Sequence, residues 1–341
     1  MDSSFATALL SWGATEGRSE LPWQQDKSPY RVWVSEIMLQ QTRVETVIPY
    51  FERFMQAFPT VCELSQASQD SVLGLWSGLG YYARARNLHR AAEVICQQWD
   101  GEMSRSREAL ESLPGIGRST AAAILAISYN QPEPILDGNV KRVLSRYCGV
   151  EGWPGQSRVM KQLWSHAERL MPQTECGAYT QAIMDLGATL CSRKQPNCSN
   201  CPVESSCVAR EQGRVEELPQ ARPGKKLPER TTYMAVLHNR QGEVWMERRP
   251  EQGIWGGLWS FPELDSVEQW PVQWSAPQQR EKINHTFTHF KLEITPLYGE
   301  VGPSAIAMEE GEWVTLAQLE QRGVAAPVSR LVQQMRKEQL I

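Results

Sequence analysis

The chain has 341 residues, 41% of them hydrophobic, and 35 Lys and Arg against 39 Asp and Glu leave a net charge of −4. That is about two domains of soluble globular protein with ordinary packed cores, without the global basic excess that announces a nucleic-acid binder. Met1 to Trp12 lacks a basic segment followed by a long apolar run, and Ala121 to Ile127 is far below the ~20 residues of a spanning helix, so no membrane partner and a reducing, cytoplasmic location are expected.

From Phe5 to about Ala209 apolar residues recur at helical spacing. Ser28-Pro29 is a helix start, cap then N1 proline, and the helix it opens places Val32, Trp33 and Glu36 on one apolar face. Burial there would raise the Glu36 pKa, as a general acid working near neutral pH requires; a surface salt bridge is the alternative. Gly78-Leu79-Gly80-Tyr81-Tyr82 offers an apolar and aromatic wedge between glycines, of the kind that unstacks duplex steps, or else a buried helix turn. Basic residues cluster at Arg84, Arg86 and Arg90, at Arg105, Arg107 and Arg118, at Lys141, Arg142 and Arg146, and at Arg193 and Lys194. Only a fold that gathers several of these on one surface makes them a phosphate track.

Leu113-Pro114-Gly115-Ile116-Gly117 joins two helical stretches by a tight glycine turn, where backbone N–H groups and a helix N-terminus would hold a phosphate. Asp137 precedes a helix from Gly138 to Tyr147, a capping position that favours its ionised form. One carboxyl pushed towards neutral and another held anionic is the division of labour that cleavage of a glycosidic bond requires.

Cys191, Cys198, Cys201 and Cys207 lie within seventeen residues with gaps of six, two and five. Disulfides suit an oxidising compartment that nothing else in the chain suggests. Zinc usually takes two short Cys-x-x-Cys knuckles, and only Cys198 and Cys201 form one, so one loop wrapped around an iron-sulfur cubane fits the spacing better. Cys62, Cys96, Cys148 and Cys176 are scattered singly and read as buried small apolar residues.

Gly213 to Pro228, with Pro219, Pro223 and Pro228, reads as an extended linker with a boundary near Leu227. Beyond it the period becomes two: Tyr233–His238 and Glu243–Arg248 flank Asn239-Arg240-Gln241-Gly242 as a hairpin, and Thr286–Leu297 alternates as a strand with Phe287, His289 and Lys291 on one face. Helices near Thr315–Arg322 and at the C-terminus complete a small α/β module.

The glycine turn with Arg118-Ser119-Thr120-Ala121, Asp137 about twenty residues on, and the cysteine spacing together resemble the iron-sulfur branch of the helix-hairpin-helix base-excision glycosylases. Leu21-Pro22-Trp23 and Val34-Ser35-Glu36-Ile37-Met38-Leu39-Gln40-Gln41-Thr42 resemble its adenine-specific, MutY-type members. The resemblance implies a mainly α glycosylase domain over residues 1–210, with the helix-hairpin-helix at about 105–130 and a 4Fe-4S loop at 191–207. A linker at 211–228 and a Nudix-like α/β domain at 229–341 would follow.

It further implies a monomer that removes adenine opposite 8-oxoguanine or guanine from double-stranded DNA. Glu36 protonates the base, Asp137 stabilises the cationic sugar and Asn139 orients Asp137 or water. Gln41, Leu79 and Tyr81 would contact the mismatch, and Gly115, Gly117, Ser119, Arg193 and Lys194 the DNA backbone. Phe287, Thr288 and His289 would sense the lesion. Lyase members carry a nucleophilic lysine where Ser119 stands, so strand cutting should be absent or weak, with Lys141 an occasional substitute. The Nudix box is half present, with Gly257 and Glu263 but Pro271 and Val272 where Arg-Glu should begin, which argues against a pyrophosphatase. A bifunctional pyrimidine glycosylase-lyase and a noncatalytic iron-sulfur DNA sensor are the rival readings.

Overall fold

The computed structural model describes residues 3–224, 226–272, 274–302, 311–320 and 322–340. The chain divides into two compact units, one within Met1–Ser65 and Arg90–Gly224, the other within Gln66–His89 and Lys225–Ile341.

Up to residue 211 the chain is helical: α1 (Ser3–Glu16), α2 (Pro22–Gln25), α3 (Pro29–Leu39), α4 (Val44–Ala57), α5 (Val61–Gln66), α6 (Gln69–Trp76), α7 (Ala83–Trp99), α8 (Arg107–Glu111), α9 (Arg118–Tyr129), α10 (Gly138–Tyr147), α11 (Ser157–Leu170), α12 (Cys176–Thr189) and α13 (Val208–Glu211). The outer helices are amphipathic by pattern. Val140, Val143, Leu144 and Tyr147 of α10, and Val159, Leu163, Ala167 and Leu170 of α11, are the buried residues of a 3.6-residue period.

α9 differs, because Thr120 through Ala126 are all buried. Its small side chains let neighbours come close on every side, which makes it the central helix of its unit. A Cβ on Gly177 would stand 2.9 Å from the Ala126 carbonyl oxygen, and one on Gly187 would stand 2.6 Å from the Asn139 Cβ. These two glycines let α12 lie directly on α9 and α10. Phe5 and Leu9 of α1, 1% and 0% exposed, join the same core, with Phe5 4.4 Å from the Tyr147 ring. Each such side chain contributes about 1.5–3 kcal/mol of burial free energy.

Three sequence expectations change here. The expected linker is anchored at its start, since Leu218 is 1% exposed and its carbonyl accepts a 2.9 Å bond from buried Arg146. Cys62 and Cys96 are not separate buried residues but half-exposed neighbours. Gln66–His89, expected within the helical domain, clusters with the C-terminal unit.

The C-terminal unit is built on a sheet of β1 (Glu229–His238), β2 (Val244–Arg248), β3 (Trp259–Ser260), β4 (Glu263–Leu264), β5 (Gln278–Gln279), β6 (Ile283–Thr286), β7 (Lys291–Glu300) and β8 (Gly311–Val314), with α14 (Leu316–Glu320) and α15 (Ala326–Lys337). β1 and β7 pair in parallel from Glu229↔Lys291 to His238↔Glu300, and the other pairings are antiparallel. β1 is central, so Met234 to Leu237 are buried on both faces. The expected hairpin is present. Asn239 closes it by accepting from the Gln241 and Glu243 N–H groups, both at 3.0 Å, and Gly242 supplies φ 77°.

The strand expected from Thr286 to Leu297 is instead two strands. β6 ends at Thr286, β7 begins at Lys291, and Phe287 to Phe290 form a tight turn in which the Phe287 N–H donates to the Phe290 carbonyl at 2.8 Å. The turn shifts the inward phase by one residue, from Ile283, His285 and Phe287 before it to Phe290, Leu292 and Ile294 after it, and the rings of Phe287 and Phe290 lie 4.5 Å apart across it.

Candidate active site

A cleft of about 740 Å³ in the helical unit is walled on one side by Val32, Ser35, Glu36 and Leu39 of α3. Ser119 and Thr120 of α9, Asp137 with Asn139 and Lys141 of α10, and Gln181 with Met184 of α12 complete it. Residues a hundred positions apart thus meet because α9 lies between α3 and α12.

α3 starts at Pro29 after Ser28, as expected, although the Ser28 side chain makes no capping bond. Glu36 sits one turn beyond Val32 and Trp33, which are 3% and 0% exposed. Its carboxyl keeps only partial exposure on the cleft wall. Burial first, and then the negative charge of Asp137, push its pKa up from 4.5 to about 8.

Asp137 is the N-cap of α10, its Oδ1 accepting from the Val140 N–H at 2.7 Å. The expectation that capping alone would hold its pKa down is corrected. Burial raises it above 3.8, and the Val140 and Asn139 N–H groups with Arg142 and Lys141 only oppose that rise. Asp137 is nevertheless the carboxyl with groups that favour its anion, the Val140 and Asn139 N–H donors and the charges of Arg142 and Lys141, whereas burial and Asp137 both push Glu36 towards its protonated form.

Asn139 reaches Asp137 through its backbone N–H; its side-chain Oδ1 accepts from Arg142 Nη2 at 2.9 Å. Ser119 Oγ accepts from the Leu136 N–H at 3.0 Å and so ties the start of α9 to the segment that delivers Asp137. Gln41, at the cleft rim, is exposed and held at φ 60°, a left-handed conformation that non-glycine residues adopt mostly under functional constraint.

Sequence reasoning missed the far wall. Arg18 grips buried Asp185, which is 1% exposed, through its backbone N–H at 3.0 Å, Nε at 2.8 Å and Nη2 at 2.6 Å. Gln181 Nε2 also donates to Asp185, at 3.0 Å. Arg18, Trp23 and Gln181 all line the cleft. A contact between residues 167 positions apart has no local signature.

The helix hairpin is formed as the motif requires. Gly115 takes φ 78°, the Ile116 N–H donates to the Leu113 carbonyl at 3.2 Å, and Leu113 and Ile116 are buried. Gly117 caps α9 without a side chain, and a Cβ there would meet nothing within 4 Å. Exposed Gly117 therefore leaves room for a ligand to approach the start of α9.

Of the expected wedge, Tyr81 is 47% exposed at φ 49°, while Leu79 is 6% exposed and turned inward. Of the two, only Tyr81 presents its side chain to solvent. Arg84 and Arg86, expected near phosphate, serve the protein instead. Arg84 lies 5.4 Å from the Trp76 ring and 5.5 Å from that of Tyr81, donates to the Gly80 carbonyl at 3.2 Å, and has its pKa lowered to about 10 by burial. Arg86 donates to the Gly256 carbonyl.

Cys191, Cys198, Cys201 and Cys207 line one small cavity of about 30 Å³ with Arg146. Among the described residues no three or more His, Cys, Asp or Glu side chains are gathered around one point as a single ion's ligands. Four thiols on one wall nevertheless form a soft donor set, and burial holds the Cys201 thiol up at about 11. Arg146, 3% exposed, places Nη1 3.3 Å from Cys191 Sγ, where its charge would offset thiolates. The residues fit a thiolate-bound metal group. Arg193 and Lys194 stand exposed on the same loop.

At the β6–β7 turn Thr288 and His289 are exposed, with Thr288 Oγ1 3.3 Å from His289 Nδ1. Phe287 is half-buried against Trp255 and His285, at 5.3 and 4.6 Å. Glu263, the surviving carboxylate of the half Nudix box, is paired with Arg249 at 2.7 Å.

Residues 34–169 match the model of the HhH-GPD superfamily of base excision DNA repair proteins, and residues 233–334 match a NUDIX domain. A solved thermostable thymine-DNA glycosylase superposes with a TM-score of 0.56 at 26% identity, covering 62% of this chain and 96% of its own. Fold and cleft thus define a helix-hairpin-helix base-excision protein with an added Nudix-like unit. An adenine DNA glycosylase of Buchnera aphidicola subsp. Acyrthosiphon pisum is 36% identical over 98% of this chain and 98% of its own, and one of Rattus norvegicus is 33% identical over 96% and 77%. The chain belongs to the adenine DNA glycosylase family.

Proposed function

We propose that this protein removes adenine paired with 8-oxoguanine or guanine from duplex DNA, as a monomer and without an efficient strand-cutting step. The observation that carries the proposal is the pair of carboxyls on one cleft, Glu36 pushed up to about 8 by burial and Asp137 supplied with N–H groups and nearby cations that favour its anion. The target adenine leaves the stack to enter the cleft, since neither carboxyl reaches a base inside a duplex. Tyr81 fills the gap that it leaves.

Glu36, protonated at neutral pH, donates its proton to a ring nitrogen of adenine, and the N-glycosidic bond breaks with its electron pair going to the base. Asp137, anionic and pointed by the Val140 N–H, stabilises the cationic sugar that remains. Water then adds to the sugar carbon, losing its proton, to give an abasic site. Ser119 lacks an amine, so no Schiff base forms at that position.

Cys191, Cys198, Cys201 and Cys207 would hold one 4Fe-4S cluster, which fixes the Arg193–Lys194 loop for phosphate contact. Thr288 and His289, exposed at the β6–β7 turn, would read the oxidised guanine edge.

The test is single-turnover base release from a duplex with adenine opposite 8-oxoguanine, followed by alkali to reveal abasic sites. Alkali-dependent breaks with wild type and none with Glu36→Gln are expected. Absence of adenine release by cluster-loaded wild type would overturn the proposal.

A further inference from the structure

Cys62 of α5 and Cys96 of α7 lie 34 positions apart, and their sulfurs stand 2.7 Å from each other. Both residues are half-exposed, so a small molecule in solvent reaches them. Neither lines the cleft nor the cavity bordered by the other four cysteines. Beside the pair stands a residue without a side chain: Gly101 follows Asp100 after α7, the two in the left-handed conformation at φ 81° and 50°, and the Gly101 N–H turns back to the Ile95 carbonyl at 3.2 Å. A Cβ on Gly101 would lie 2.7 Å from Cys62 Sγ and 3.9 Å from Cys96 Sγ. Glycine at that place therefore leaves the two sulfurs open to each other and to small reagents.

We infer that Cys62 and Cys96 are a dithiol modification site that hydrogen peroxide oxidises to a reversible disulfide between α5 and α7. In the first step one thiolate attacks the peroxide, the O–O bond breaks, the sulfur becomes a sulfenic acid and one water leaves. In the second the neighbouring sulfur attacks the sulfenic sulfur, the S–S bond forms, and the hydroxyl leaves as a second water with the thiol proton. Two thiols and one peroxide thus give one disulfide and two waters, with two electrons passing from sulfur to oxygen. The second step outruns further oxidation because its attacking atom is already in contact.

The hydrogen bond shared with Cys96, burial, and the nearby Cys96, Asp100 and Glu63 charges hold the Cys62 thiol above its usual range. A thiol held up in this way forms its thiolate less readily, so Cys96 makes the first attack.

The full-length, cluster-loaded protein is treated with graded hydrogen peroxide, its remaining thiols are alkylated with iodoacetamide, and its peptides are mapped by mass. A Cys62–Cys96 linked peptide, lighter by two hydrogens than the two thiol peptides and released by dithiothreitol, is expected. Cys62→Ser should abolish the link and leave Cys96 as a sulfenic acid that dimedone labels, with adenine release by the untreated variant unchanged. Alkylation of both residues after peroxide, sulfinic acids at both without a link, or a link from either to another cysteine would each overturn the inference.

Discussion

Glu36→Gln keeps the shape of the side chain and removes its proton equilibrium, so it should separate catalysis from stability. The folded-state pKa, about 8, lies above the ordinary 4.5. Between those values the folded chain holds a proton that the unfolded chain has released, so stability falls as pH rises through this window and is flat below it. At about 1.36 kcal/mol per pH unit, the cost of keeping the wild-type carboxyl folded is about 3 kcal/mol at pH 7 and about 5 kcal/mol above pH 8. Water in the cleft screens part of this, which brings the expected gain of Glu36→Gln to about 2 kcal/mol at pH 8 and close to zero at pH 5. Urea unfolding of both cluster-loaded proteins at the two pH values measures the gap. The same variant should lose about 10²–10⁴-fold in single-turnover base release, the usual contribution of a general acid. A gap independent of pH, or a variant less stable than wild type at pH 8, would refute the reasoning that burial sets the Glu36 proton.

The pH profile of wild-type base release should be bell-shaped, falling above about pH 8 as Glu36 ionises and falling on the acid side from a point above the ordinary aspartate value as Asp137 takes a proton; a profile flat to pH 9.5 would count against Glu36. Asp137→Asn should lose at least about 10³-fold in base release while melting within about 1 kcal/mol of wild type, because Asn caps a helix nearly as well as Asp, and a large loss of stability would show a mainly structural role. Ser119→Lys should form a borohydride-trapped adduct with an abasic product where wild type forms little, which gel shift after reduction reads directly. Arg146→Met should lower the unfolding free energy by about 2–4 kcal/mol, as buried carbonyls at Leu218 and Ser192 lose their donor, with a matching loss of iron and visible absorbance per chain.

Much of the active site was legible in the sequence because its parts are local motifs. Ser28-Pro29 set the phase of α3 and hence the face that carries Glu36. Gly115 and Gly117 declared a turn that only glycine geometry allows, and Asp137 before an apolar-periodic run declared a cap. Four cysteines within seventeen residues foretold the common wall of one small cavity, since so short a loop keeps its own thiols near one another.

Tertiary structure decided what depends on distant chain. Whether Asp137 is raised or lowered turned on how deeply the fold buries it, and burial outweighed the cap. Arg84 and Arg86 looked like phosphate contacts until the fold gave them carbonyls and rings. The Arg18–Asp185 clamp and the Cys62–Cys96 pair each join segments with no common motif. The Phe287 turn was concealed because the chain alternates on either side of it, and the one-residue slip from Phe287 to Phe290 shows only when the two strands are seen folded back on each other. Periodicity and turn chemistry act over a few residues and are written in the chain; electrostatics and side-chain partnership depend on which elements pack together, and only the folded structure contains that.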